Sequence, residues 1–133
     1  MTKEDLRDYR RIKRLTDRVR DRILVLETMI YSPQTGQLTG MPRGTTAAND
    51  RRERIIDKLQ SLRETYQEKL EDLMITELEI IEAVSQLPAR EQEVVEAYYI
   101  DGKKWDKVAR DTHQSLRTVY SIHGRALQRL KEI

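Results

Sequence analysis

Apolar residues recur at alternating steps of three and four along the start of the chain: Tyr9, Ile12, Thr16, Val19, Ile23, Leu26 and Ile30, with Thr16 the one exception. That spacing is a heptad seam on one face of a helix, predicted over 3–31. Thr2 is placed to cap it, and Glu4 and Asp5 fall in its first turn, at the positive end of the helix dipole. The period then fails across "SPQTGQLTGMPRGTTAAN", residues 32–49, where Pro, Gly, Ser and Thr dominate. So long a stretch without structure is unusual inside a compact domain. It reads as a flexible linker or as an arm for a partner, with Arg43 its only charge.

A second helix is predicted from about 51 to 86. Asp50 and Glu53 form a D-x-x-E capping pattern at its start. Ile55, Leu59, Leu62, Tyr66, Leu70, Leu73 and Met74 mark its apolar face, continued by Leu78, Ile81 and Val84. Two helices with heptad seams predict a coiled-coil-like hairpin over residues 1–86. Each seam could equally face a second chain. A lone two-helix hairpin buries little, so a homo-oligomer, in the simplest case a dimer, is expected.

Pro88 opens a third region, residues 87–133. Proline suits the first turn of a helix, where the missing N–H has no partner to lose. "LPAREQEVVEAYYIDG" is amphipathic through Leu87, Val94, Val95, Tyr98 and Tyr99, the two tyrosines dividing between core and rim. Gly102 suits the position just past its end. "KKWDKVARDT" is a short helix with Trp105, Val108 and Ala109 on one face, Trp105 being expected in the core. "THQS" is a turn, and Ser115 caps a last helix over 116–132. If Val119, Ile122, Ala126, Leu127 and Leu130 face inward there, Arg117, Tyr120, Ser121, Gly124, Arg125 and Gln128 face outward. The fold class is therefore all-α: a long N-terminal helical hairpin followed by a helix-turn-helix.

Composition narrows the function. Charged residues are 36% and hydrophobic ones 38% of the 133 residues, with few aromatics, which suits long exposed helices. Cysteine is absent, so there is no disulfide framework and no cysteine zinc site. His113 and His123 lie across a turn without a third and fourth ligand, and no metal is expected. No apolar run approaches the ~20 residues of a membrane span. "MTKEDLRDYRR" has no apolar core of a signal peptide, so a cytoplasmic protein is expected. No Gly-rich phosphate loop, nucleophile elbow or paired-histidine motif is present; neither catalysis nor a cofactor is expected.

The formal net charge is +2, but it is unevenly spread. Residues 1–22 hold nine Lys/Arg against five acids, residues 67–97 two against nine, and residues 116–133 four against one. Basic ends could meet phosphate, while the acidic middle would repel it.

Two short helices joined by a turn of a few residues make a helix-turn-helix, whose second helix enters the major groove. Arg117 could fork to guanine or to phosphate, Ser121 could bond either, and Tyr120 offers an apolar contact with a hydroxyl tip. Gly124, inside a helix, costs ~1 kcal/mol relative to alanine. Close approach to DNA or to a packed neighbour would explain it, as would tolerated drift.

The order of residues adds a family. Leu87, Pro88, Arg90, Glu91, Gly102, Val108, Ala109, Ser115, Thr118, Val119, Arg125, Ala126 and Leu127 stand where bacterial sigma factors carry their region-four pattern. Residues 87–131 thus resemble sigma region four. Other sigma regions have no counterpart, and the layout of helical segment plus one helix-turn-helix is similar to small phage regulators of the ArpU and RinA type. The chain departs from the pattern in the turn. Thr112, His113 and Gln114 replace Leu-Gly-Ile, and Lys103 and Lys104 stand where a Ser/Thr cap is usual. A lysine opposing the helix dipole there argues for a phosphate-facing role.

The resemblance implies a DNA-binding transcriptional regulator that takes double-stranded DNA as its partner, with RNA polymerase as a second. The expected DNA-contacting set is Lys103, Lys104, Gln114, Ser115, Leu116, Arg117, Thr118, Tyr120, Ser121, His123, Gly124 and Arg125. Two alternatives are a polymerase-binding helical adaptor and a small terminase-like packaging protein.

Overall fold

The computed structural model describes residues 1–31 and 45–133. Five α-helices follow one another: α1 (Lys3–Tyr31), α2 (Thr45–Val84), α3 (Ala89–Val95), α4 (Trp105–Asp111) and α5 (Leu116–Glu132). A π-helical turn, Glu96–Ile100, extends α3. No strand occurs among the described residues, so the all-α expectation holds. Most of the expected loop, including Arg43, lies outside the described residues.

α1 opens with the expected cap. The Thr2 N–H donates to Asp5 Oδ2 at 2.9 Å, and the Asp5 N–H donates to Thr2 Oγ1 at 3.4 Å. Each side chain thus satisfies a backbone donor that the helix leaves open. The backbone bond from Thr2 and, after it, the Thr2 hydroxyl hold the Asp5 carboxyl below its ordinary range.

α2 begins at Thr45, six residues before the sequence-based start, so Asp50 and Glu53 lie inside the helix and are not its cap. Ala47 and Ala48, both strong helix formers, carry the earlier turns. The apolar face of α2 is also corrected in its last third. Leu59, Leu73, Ile80 and Val84 are buried, whereas Met74, Leu78 and Ile81 are exposed together with Ile75. A helix of 3.6 residues per turn keeps one stripe through steps of seven and four, from Leu73 to Ile80 to Val84. Residues one or two positions off that stripe turn outward, however apolar they are.

The contacts divide the chain into two compact units, Leu15–Glu71 and Met1–Arg14 with Asp72–Ile133. The expected boundary at 86/87 is not where they divide, since α1 and α2 each run through both. In the unit Leu15–Glu71, Ile23, Ile30 and Leu59 form the core, flanked by Val19, Leu26, Ile55, Leu62 and Tyr66. Arg63 and Glu27 pair across it at 2.9 Å, a partly exposed bridge that contributes little.

The other unit holds the helix-turn-helix and two apolar clusters. One joins Leu6 and Tyr9 of α1 to Leu73, Ile80 and Val84 of α2, then to Leu87, Val95, Tyr99, Ile100, Ala126 and Leu130. The second is Val94, Ala97, Val108, Ala109, Val119 and Ile122, from α3, its π turn, α4 and α5. Leu6 is fully buried, which makes the first turns of α1 part of this core. The connection between α2 and α3 is fixed by Gln92, whose Nε2 donates to the carbonyls of Ser85 (3.1 Å) and Leu87 (2.7 Å). Pro88 caps α3 from one residue outside it, at φ −55° and ψ 150°.

Candidate nucleic-acid interface

α4, the turn at 112–115 and α5 form the expected helix-turn-helix. The turn is closed by backbone bonds: the His113 N–H donates to Arg110 C=O (3.2 Å) and the Gln114 N–H to Ala109 C=O (2.9 Å). This is a Schellman ending, which places its C′ residue in the left-handed region. That residue is His113, at φ 57°, where glycine is the usual occupant. Gly102, at φ +73°, fills the equivalent place after the π turn.

Ser115 starts α5 as expected. Its Oγ accepts from the Thr118 N–H at 3.1 Å and lies 2.8 Å from Thr118 Oγ1. Val119, Ile122, Ala126 and Leu130 are buried and Leu127 half-buried. Arg117, Tyr120, Ser121, Gly124, Arg125 and Gln128 are all exposed. They recur at three- and four-residue steps, so they share one face.

The other expected contact residues are placed differently from one another. Leu116 and Lys104 are exposed, and Lys104 occupies the α4 cap position with no side-chain cap bond. Lys103 Nζ pairs with Asp111 Oδ2 at 2.9 Å, which pushes the lysine up and holds the aspartate down in pKa. Gln114 is half-buried with a buried Oε1 that has no partner. His123 is half-buried and faces the aromatic residues rather than the exposed row.

Those aromatics form a continuous stack. The Tyr98 and Trp105 rings lie 3.8 Å apart and nearly parallel, at 10°. Trp105 also meets His123 edge-on at 4.6 Å and Tyr120 at 5.5 Å. Trp105 is half-buried here, short of the core position expected for it. Tyr99, which is buried, brings its hydroxyl to 2.8 Å from His123 Nε2. Burial lowers the pKa of His123 to about 4, with help from the positive charges of Lys3 and Arg7. Burial raises Tyr99 to about 12, so a neutral imidazole meets a neutral phenol.

Residues that sequence reasoning missed hold this arrangement together. Arg10 of α1 lies over the Tyr98 ring at 4.0 Å and donates through Nε to Tyr98 C=O (3.1 Å) and through Nη2 to Lys103 C=O (3.4 Å). Lys13 Nζ donates to Ile100 C=O. Both cations therefore satisfy carbonyls of the π turn that ends α3 and of Lys103 just beyond it, where the dipole favours positive charge. Glu91, buried, accepts from Arg129 Nε at 3.1 Å and ties α3 to α5. Glu91 was visible only as part of the motif; nothing marked Arg10 out among the nine cations of residues 1–22.

A short helix, a tight turn and a capped second helix with a buried inner face and an exposed polar outer face define a helix-turn-helix module. Residues 77–130 match the family model described as "Sigma-70, region 4". The match begins within α2 and covers less than half of the chain. No curated protein and no solved structure matches the chain. Among the described residues no helix is long and apolar enough to cross a membrane.

Proposed function

We propose that this protein is a DNA-binding transcriptional regulator that lays α5 in the major groove of double-stranded DNA. The observation that carries the reading is the exposed row Arg117, Tyr120, Ser121, Gly124, Arg125 and Gln128, opposite a stripe buried against α3 and α4. An α-helix with side chains is about 10–12 Å across, and the major groove is about 12 Å wide. Arg117, in the first turn of α5, reaches base edges, as recognition helices do through their N-terminal residues. Lys104 and Arg125 face phosphate. Ser115, Thr118, Leu116 and Gln114 set the entry of the helix. His123 acts from behind, by packing under Trp105.

The finer reading is a regulator encoded by a phage or prophage, active in the bacterial cytoplasm as a homo-oligomer, in the simplest form a dimer. It rests on the layout of one helix-turn-helix behind long helices, which is similar to the ArpU and RinA type. Its test is selection from genomic fragments with the purified protein, followed by anisotropy titrations against salt. Arg117→Ala should cost ~1–3 kcal/mol on the selected site and relax the preference at one base position. Uniform weakening on every sequence would make Arg117 a phosphate contact. Failure to select any fragment, with core polymerase captured in the absence of DNA, would replace the reading by a polymerase adaptor.

A further inference from the structure

The first two turns of α1 carry their charges in two separate rows. Asp5 and Asp8, with Tyr9 and Ile12, line a groove against Asp72, Thr76 and Glu79 of α2. Lys3, Arg7 and Arg10 follow one another at steps of four and three, on another face. Arg10 is committed to Tyr98 and to two carbonyls. Lys3 and Arg7 are exposed, and among the described residues neither is bridged to a carboxylate.

Both line a cleft of about 230 Å³ whose other walls are Tyr98, Tyr99, Trp105, Tyr120 and His123. Among the described residues no acid lines it. At roughly 30 Å³ per water in the liquid, such a cleft has room for several waters, and so for one phosphodiester group. One wall, Tyr120, belongs to the exposed row of α5, and the adjoining groove runs past Gly124 and Gln128 to Thr2, Lys3 and Glu4. The start of α1 therefore borders the same face of α5 that the proposed function presents to DNA.

We propose that Lys3 and Arg7 of α1 form, with the aromatic walls of this cleft, a phosphate clamp for the DNA backbone beside the recognition helix. The inference rests on the DNA-binding reading and adds to it a second element, outside the helix-turn-helix. α1 serves there as a rigid extension. Leu6 anchors it in the core, Arg10 and Lys13 hold it on the π turn that ends α3, and the two free cations project into the cleft. Such contacts carry no base information; they fix where the recognition helix sits along the duplex and add to the counterions released on binding.

The test uses the full chain and a duplex of random sequence, with anisotropy titrations over a range of salt. The variant K3Q/R7Q is compared with R11Q/R18Q, which removes the same charge from elsewhere on α1. K3Q/R7Q should lower the log–log salt slope by about one for each phosphate that is no longer neutralised, and R11Q/R18Q should leave it close to that of the unaltered protein. Both pairs are exposed, and an unchanged melting temperature confirms an intact fold. An equal fall in slope for both variants, or an unchanged slope in K3Q/R7Q, overturns the clamp while leaving α5 as a DNA reader. Absence of salt-dependent binding in the unaltered protein overturns both readings.

Discussion

His123 shows how far the surroundings of one residue can redirect it. As a letter in an exposed-looking helix it reads as a rim contact. In the structure its ring is half-buried against Trp105 and Tyr99, and burial holds its pKa at about 4, below the ordinary 6.5. The unfolded chain therefore takes up a proton first as the pH falls. The stability linked to a neutral His123 is complete above about pH 6.5 and is lost progressively toward pH 4. Urea unfolding should show stability falling between about pH 6.5 and 5, and His123→Gln should flatten that fall. An equal slope in the variant would assign the dependence to another group. Gly124 is a different case, because a Cβ there would meet nothing within 4 Å. Of the explanations open at the level of sequence, a packed neighbour within the chain is removed. Gly124→Ala should raise stability by roughly 1 kcal/mol through helix propensity. If DNA binding weakens while stability rises, the glycine exists for close approach to the duplex; unchanged binding would make it drift.

Among the elements, α5 was the most legible. Its buried stripe, its exposed row and its Ser115 cap all follow from local spacing, and all three are where the period placed them. The first turns of α1 were not legible in the same way. Their partners lie far along the chain: Arg10 bonds carbonyls 88 and 93 positions away. Cations that cap a distant helix end look the same in sequence as cations that face water. Leu6 did carry a signal, standing three residues ahead of Tyr9 on the same seam, yet a single leucine before the first clear repeat is easily passed over. Arg10→Gln should lower the unfolding free energy by about 1.5–3 kcal/mol, since it removes charge-assisted bonds to part-buried carbonyls and a cation over a ring. Arg11→Gln, which loses only an exposed bridge to Asp8 at 3.5 Å, should stay within about 0.5 kcal/mol. Equal effects in the two variants would show that Arg10 does not secure α1.

At the scale of the molecule, helix count and class were readable because long amphipathic periods and one ordered motif agree. The register of α2 was not. Its last third contains more apolar residues than one stripe can bury, and the sequence does not say which will be left outside. Met74, Ile75, Leu78 and Ile81 are the ones left, all at least 41% exposed. A row of that kind on one helix is what association between copies would cover, so light scattering should give a mass above that of one 15.8 kDa chain. Leu78→Glu with Ile81→Glu should return it to a monomer. A monomeric mass for the unaltered protein at micromolar concentration would remove the homo-oligomer from the proposed function.

Trp105 is the one tryptophan in the chain, and it sits between Tyr98 of the π turn after α3 and His123 and Tyr120 of α5. The molecule thus carries a built-in optical reporter at the junction of the three parts that matter. Excitation at the red edge of protein absorbance addresses that ring alone. Its emission colour and lifetime then follow the separation of α3 from α5 without any attached dye, so unfolding of the module is readable from the native chain, as is the duplex that the proposed function lays along α5.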